Sequence, residues 1–188
     1  ANNVAVGYVA LLTNTTGSAN NAVGNDALRL NTTGNSNTAM GHAALTANTS
    51  AINNTAFGAG SLGANTTGAN NTAVGKSAGA GNTTGKVDAF GAETLLSNTT
   101  GVSNAAFGAT ALYSNTTGRY NTAFGAGSSG IFGALFYNTT ADDNSAFGTQ
   151  ALASTTTGAA NTGVGSGALF ANTTGYENVA VGKAALSA

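Results

Sequence analysis

Residues 108–125 read Gly108-Ala-Thr-Ala-Leu-Tyr-Ser-Asn-Thr-Thr-Gly-Arg-Tyr-Asn-Thr-Ala-Phe-Gly125, and the chain on either side repeats nearly the same text. The closing phrase, Asn-Thr-Ala-(Val/Phe)-Gly, occurs eleven times with small variations. Its glycines are Gly7, Gly24, Gly41, Gly58, Gly75, Gly91, Gly108, Gly125, Gly148, Gly165 and Gly182. Successive gaps are 17, 17, 17, 17, 16, 17, 17, 23, 17 and 17 residues, a period strict enough to define a repeat architecture before any local reading.

The consensus is N-T-A-Φ-G-x-x-A-L-x-x-N-T-T-G-x-x, with Φ apolar, and its positions are numbered one to seventeen below. Position four runs Val6, Val23, Met40, Phe57, Val74, Phe90, Phe107, Phe124, Phe147, Val164 and Val181. Position nine is Leu in most repeats, with Gly79 in its place once. Position three is Ala except at Gly163, position one is Asn except at Val87, and position twelve is Asn except at Thr155. One residue is missing between Asn82 and Gly91, and six are added within 126–137. Insertions in solenoids fall on loops. The added residues bring Ile131, Phe132, Leu135, Phe136 and Tyr137, which are expected to form a local lid on the core in preference to an exposed patch, since exposed apolar clusters are uncommon without a partner.

Seventeen residues are too few for paired-helix repeats, which need more than about thirty. Gly, Asn and Thr are also poor helix formers. A single β-coil fits: at roughly 3.3 Å per residue the perimeter is at most ~56 Å, and coils stack ~4.8 Å apart. The expected fold is therefore all-β, a parallel β-solenoid (β-roll) of about eleven coils, with one short helical turn in G-x-x-A-L left open. Residues 1–188 form one repeat array. Positions four and nine are expected to point inward as apolar columns. Asn at positions one and twelve is expected at corners, where it tolerates left-handed backbone and can stack in ladders. Gly at positions five and fifteen supplies bends. So few large apolar side chains per coil leave two solutions open: a parallel homotrimer that adds an axial interface, or a monomer with a tight Ala- and Thr-filled interior.

Composition narrows the function classes. Charged residues make up 6% of the chain and the net formal charge is −1, so there is no basic footprint for nucleic acid. No apolar run long enough to span a membrane occurs, and no signal peptide is legible at the start. There is no Cys, hence no disulfide or thiolate metal site. His42, the one histidine, falls in a variable slot after Gly41 that suits a solvent-facing residue. Asp142-Asp143-Asn144 is the one acidic cluster, and it lacks the spaced ligands of a calcium loop, so a solvated turn is the expectation. The Gly-rich runs contain no phosphate-loop motif. No catalytic constellation, cofactor site or metal site is expected, and the chain does not read as an enzyme. Ala1 and Ala188 both interrupt the repeat, which suggests a section of a longer fibre or a subunit that stacks end to end.

Asn14, Asn31, Asn48, Asn65, Asn82, Asn98, Asn115, Asn138 and Asn172 each begin an Asn-X-Ser/Thr sequon in one register, and Asn53 and Asn70 add two more. They are candidate glycan acceptors on surface turns, and the competing reading is turn chemistry copied by duplication. The adjacent Thr pairs offer O-linked acceptors as well.

Asn121-Thr-Ala-Phe-Gly125 and Asn178-Val-Ala-Val-Gly182 resemble the N-S-V-A-I-G repeats in the heads of trimeric autotransporter adhesins. Gly108–Gly118 is similar to repeats of bacterial surface proteins and phage tail-fibre-like proteins. The resemblance covers nearly the whole chain and implies a left-handed parallel β-roll, trimerisation and a surface role. The period here is longer than in the adhesin heads, and no stalk or membrane anchor is seen. Together these readings give a structural module of an extracellular filament or adhesive surface fibre. It would be a stiff spacer whose partners are copies of itself, as a trimer or an end-to-end filament, with glycans or a host surface beyond them. Its setting would be extracellular, at a cell surface or in a virion fibre, with no membrane insertion. The alternative is an ice- or carbohydrate-binding solenoid that uses regular Thr rows such as Thr15, Thr32, Thr49, Thr66 and Thr83.

Overall fold

The computed structural model describes residues 2–187, and they form a parallel β-solenoid with one short strand per repeat. The strands are β1 (Val4–Val6), β2 (Asn21–Val23), β3 (Thr38–Met40), β4 (Thr55–Phe57), β5 (Thr72–Val74), β6 (Val87–Phe90), β7 (Asn104–Phe107), β8 (Thr122–Phe124), β9 (Ser145–Phe147), β10 (Thr162–Val164) and β11 (Val179–Val181). They lie side by side in chain order as one eleven-stranded parallel sheet. Each residue pairs with its repeat equivalent, as in Ala56 with Ala73 and Phe57 with Val74. The missing residue and the added six leave this register intact, so Val74 still pairs with Phe90 and Phe124 with Phe147.

Outside the strand the coil is built from turns, and no helix occurs among the described residues. Three positions in most coils take left-handed backbone: seven, nine and seventeen, for example Asp26, Leu28 and Ser36. Asparagines at positions one and twelve do not, contrary to expectation; the left-handed corner at position nine is held by Leu, with φ between 49° and 53°. Such a conformation costs a non-glycine residue about 1–2 kcal/mol. Burial outweighs it, because enclosing a Leu side chain returns roughly 1.5–3 kcal/mol. Leu28, Leu45, Leu62, Leu95, Leu112 and Leu152 are completely buried, as expected, and Leu135, which the sequence placed among the inserted lid residues, joins them as the position-nine residue of its coil.

Position four does not join them. Successive strand residues point to opposite faces, and the small Ala of position three takes the inner side: Ala22, Ala39, Ala56, Ala73, Ala89, Ala106, Ala123 and Ala146 have no exposed surface. Position four therefore faces outward, with Phe57 53% exposed and Phe124 39%. The reason is volume. One Leu per coil, flanked by the alanines of positions three and eight, already forms a continuous core, and a second large column has no room.

Glycine at position five has two constraints. At Gly58 φ is +135°, and a Cβ would lie 2.5 Å from the carbonyl oxygen of Gly75 in the next coil. Position fifteen is different: Gly34 and its equivalents do not have positive φ. Although a Cβ on Gly34 would press on the Asn31 side chain and the next coil's backbone, Ala51 and Ala141 hold the same position buried, so small size and not glycine itself is what the position requires.

The irregular repeats are absorbed locally. Ala134 N–H donates to Gly125 O at 3.0 Å, the bond that Ala27 makes to Gly24 in a regular coil, so residues 128–133 leave the coil and return to it. They make a small hairpin with an antiparallel bridge between Ser128 and Ile131. The expected lid on the core is not formed, because Leu135 beneath is enclosed by its neighbouring coils and no apolar side chain of the hairpin enters the core cluster. Phe132 instead packs outside the coil against Phe136 (4.8 Å between centroids) and Tyr137 (5.0 Å), next to the stacked pair Tyr113–Phe136. The missing residue falls at positions sixteen and seventeen, where Lys86 alone stands. Val87 then occupies the adjoining Asn slot, its Cγ2 3.7 Å from where a Cβ on Gly79 would be, and so fills part of the space vacated by the missing Leu.

Candidate functional site

Two asparagine ladders run through the rod. At position one, Asn20 Nδ2 donates to Gly34 O (2.7 Å) across its own coil, and Asn20 Oδ1 accepts the Asn37 N–H (3.0 Å) of the next. At position twelve, Asn31 Nδ2 donates to Asn14 Oδ1 (2.9 Å) in the preceding coil and to Gly34 O (3.1 Å) three residues on. The two ladders thus converge on one carbonyl, that of position fifteen. Buried polar groups are generally paired, and this network pairs all of its amides but for Asn138 Oδ1.

This placement revises the glycan expectation. Asn31, Asn48, Asn65, Asn82, Asn98, Asn115 and Asn138 are completely buried, and Asn14 and Asn172 are half-buried. In all nine the Nδ2 to which a glycan would be attached donates to the position-fifteen carbonyl. They are wall struts, not exposed corners. Sequence reasoning missed this because Asn reads as a turn residue; the signal was the pairing of Asn with Gly three residues later. Asn53 and Asn70 are exposed, and Asn53 Nδ2 donates to Asn70 Oδ1 at 3.2 Å.

The two threonines of N-T-T part company. Position thirteen builds a third ladder: the hydroxyls of Thr15, Thr32, Thr49, Thr66 and Thr83 donate to the backbone carbonyl of the equivalent Thr in the next coil, at 2.9–3.3 Å. Their protons are therefore committed to the rod. Position fourteen is exposed in every coil and stands at a bend of the chain.

The outer sheet face is the most distinctive surface. Phe90, Phe107, Phe124 and Phe147 stack with centroids 4.7, 4.3 and 5.3 Å apart and planes within 11° of parallel. Each interior ring of this column presents its faces to its neighbours and only its edge outward. Val, Met and Phe continue the apolar stripe towards both ends, and Thr38, Thr55, Thr72, Thr122 and Thr162 flank it at position two.

Little here resembles a reaction centre. His42 is exposed, as expected for its slot. Asp142 Oδ1 accepts the Arg119 N–H at 2.7 Å, the role Asn35 plays towards Ser18, so this acid is part of a turn. Among the described residues no group of three His, Cys, Asp or Glu side chains is placed to hold a metal ion. An open groove of about 320 Å³ at the last coil is lined by Leu169, Asn172, Thr174, Asn178 and Leu186 among others, with no ionisable side chain in its lining. Among the described residues no helix is long and apolar enough to cross a membrane. No family model, curated protein or solved structure matches the chain.

Proposed function

We propose that this chain is a structural module of an extracellular filament or adhesive surface fibre, a stiff spacer whose first partners are copies of itself. The observation that supports it most is the continuous apolar stripe on the outer sheet face. Monomeric proteins seldom expose long contiguous apolar patches, and the stacked rings offer edges that suit packing against apolar side chains better than the face-on stacking a sugar needs. Parallel copies joined along this stripe, three around an axis in the arrangement the adhesin resemblance suggests, would supply the second large apolar layer that each coil lacks inside. The rod's mechanical character comes from the ladders: Leu, Asn and Thr columns bind every coil to the next, so load along the axis is shared over many bonds.

Sedimentation equilibrium tests the reading. Wild type is expected as an oligomer, and Phe107→Asp with Phe124→Asp as a folded monomer. A monomeric wild type at micromolar concentration would remove the self-association part of the proposal.

A further inference from the structure

Most exposed positions of the repeat have drifted. Position six carries Tyr8, Asn25, His42, Ala59, Lys76, Ala92 and Ser166. Position seventeen runs through Ala19, Ser36, Asn70, Tyr120, Asp143 and Glu177. Position fourteen has not. It reads Thr16, Thr33, Ser50, Thr67, Thr84, Thr100, Thr117, Thr140, Thr157 and Thr174, all of them exposed. Burial does not explain the restriction. Hydrogen bonding does not either, since the ladder hydroxyls belong to position thirteen and those of position fourteen bond to no other group of the described rod. The departure at Ser50 drops the methyl and keeps the hydroxyl, which separates the two parts of the side chain. A surface that binds by shape, as an ice-binding face does, would need the methyl too.

We infer that the position-fourteen hydroxyls are acceptor sites for O-linked glycosylation. In the reaction the Thr or Ser Oγ attacks the anomeric carbon of a sugar activated as its nucleoside diphosphate. The new C–O bond forms as the bond to the diphosphate breaks, the hydroxyl proton passes to a base of the transferase, and the nucleoside diphosphate leaves. The geometry suits an enzyme approaching from outside: the acceptor is exposed at a bend in each of the ten coils, in most of them between a half-buried Thr and a buried Gly or Ala. Coils ~4.8 Å apart place successive acceptors close together, so a sugar on one coil crowds the next and alternate occupancy is expected. Sugar would also add hydration to a surface poor in charge, since charged residues form 6% of the chain against about 25% in a typical soluble domain.

The inference rests on the fibre reading only in needing an exported rod. The test is site-resolved mass spectrometry of the protein from cells that naturally make it, with sedimentation on the same sample. Glycosyl increments on position-fourteen residues, and none on position thirteen or on the nine position-twelve asparagines, are expected. In the same cells, Thr67→Val, Thr84→Val, Thr100→Val and Thr117→Val together should remove the increments from those four coils while leaving circular dichroism unchanged, and the matching Ser variants should retain them. A bare-chain mass, or sugar confined to other positions, overturns the inference. Sedimentation reports separately on self-association, so the two ideas fail independently.

Discussion

Asn138 Oδ1 is buried and has no hydrogen-bond donor because Thr155 stands where the next coil should present an Asn. Every earlier step of the position-twelve ladder is closed, Asn138 Nδ2 itself donating to Asn115 Oδ1 at 2.8 Å. Thr155 turns its hydroxyl the other way, to Asn172 O at 3.0 Å. One amide acceptor is thus orphaned by one substitution in the repeat. Thr155→Asn restores a donor to Asn138 and a further bond to the Gly158 carbonyl. The variant gives up the Thr155 bond to Asn172 O, so the balance is one bond gained. A net hydrogen bond is worth about 1 kcal/mol, and the variant is expected to be more stable by about that much, visible as a Tm raised by a few degrees. An unchanged or lowered Tm would show that the ladder is not a net source of stability.

Leu112 and Phe107 separate the inner from the outer column. Leu112 is fully buried in left-handed backbone, so Leu112→Asp places an unpaired charge in the core, a change that costs several kcal/mol. Loss of the β-sheet signal in circular dichroism is expected. Phe107→Asp, on the outer face of β7, should keep that signal and weaken association only. If both variants unfold, the outward assignment of position four is wrong.

Gly58 and Gly167 both have positive φ but differ in what surrounds them. At Gly58 a Cβ would press on the Gly75 backbone at 2.5 Å, and at Gly167 it would meet nothing within 4 Å. Gly58→Ala combines backbone strain with an overlap that the neighbouring coil cannot relieve, and should destabilise by more than about 3 kcal/mol. Gly167→Ala, at φ +69°, should cost only the left-handed penalty of about 1–2 kcal/mol. Chemical denaturation of the two variants reads the difference directly.

Deleting residues 128–133 should leave the rod folded. The excision rejoins Gly127 to Ala134, restores the regular spacing, and removes neither the Ala134–Gly125 bond nor Leu135 from the core. Midpoint and unfolding slope in urea are expected to stay close to wild type. A sharp loss of stability would mean that the Phe132–Phe136–Tyr137 cluster supports the coil beneath it.

The seventeen-residue period was enough to determine one coil per repeat, parallel stacking in register, and an inward Leu at position nine. Those features follow from spacing and from a side chain too apolar to leave in water in every coil. The period also marked where the irregular repeats lie, between Asn82 and Gly91 and within 126–137. It could not decide between Ala and Phe for the inner face of the strand, because alternation allows either and bulk favoured Phe. Only the closed coil decides that, since its interior is already filled by one Leu and two small residues. The same holds for asparagine. By local chemistry Asn31 and Asn115 belong at exposed corners, and in the sequence they read as glycan acceptors. The stacked coils bring the position-fifteen carbonyls inside, where an unpaired acceptor is costly, and the amides turn inward to meet them.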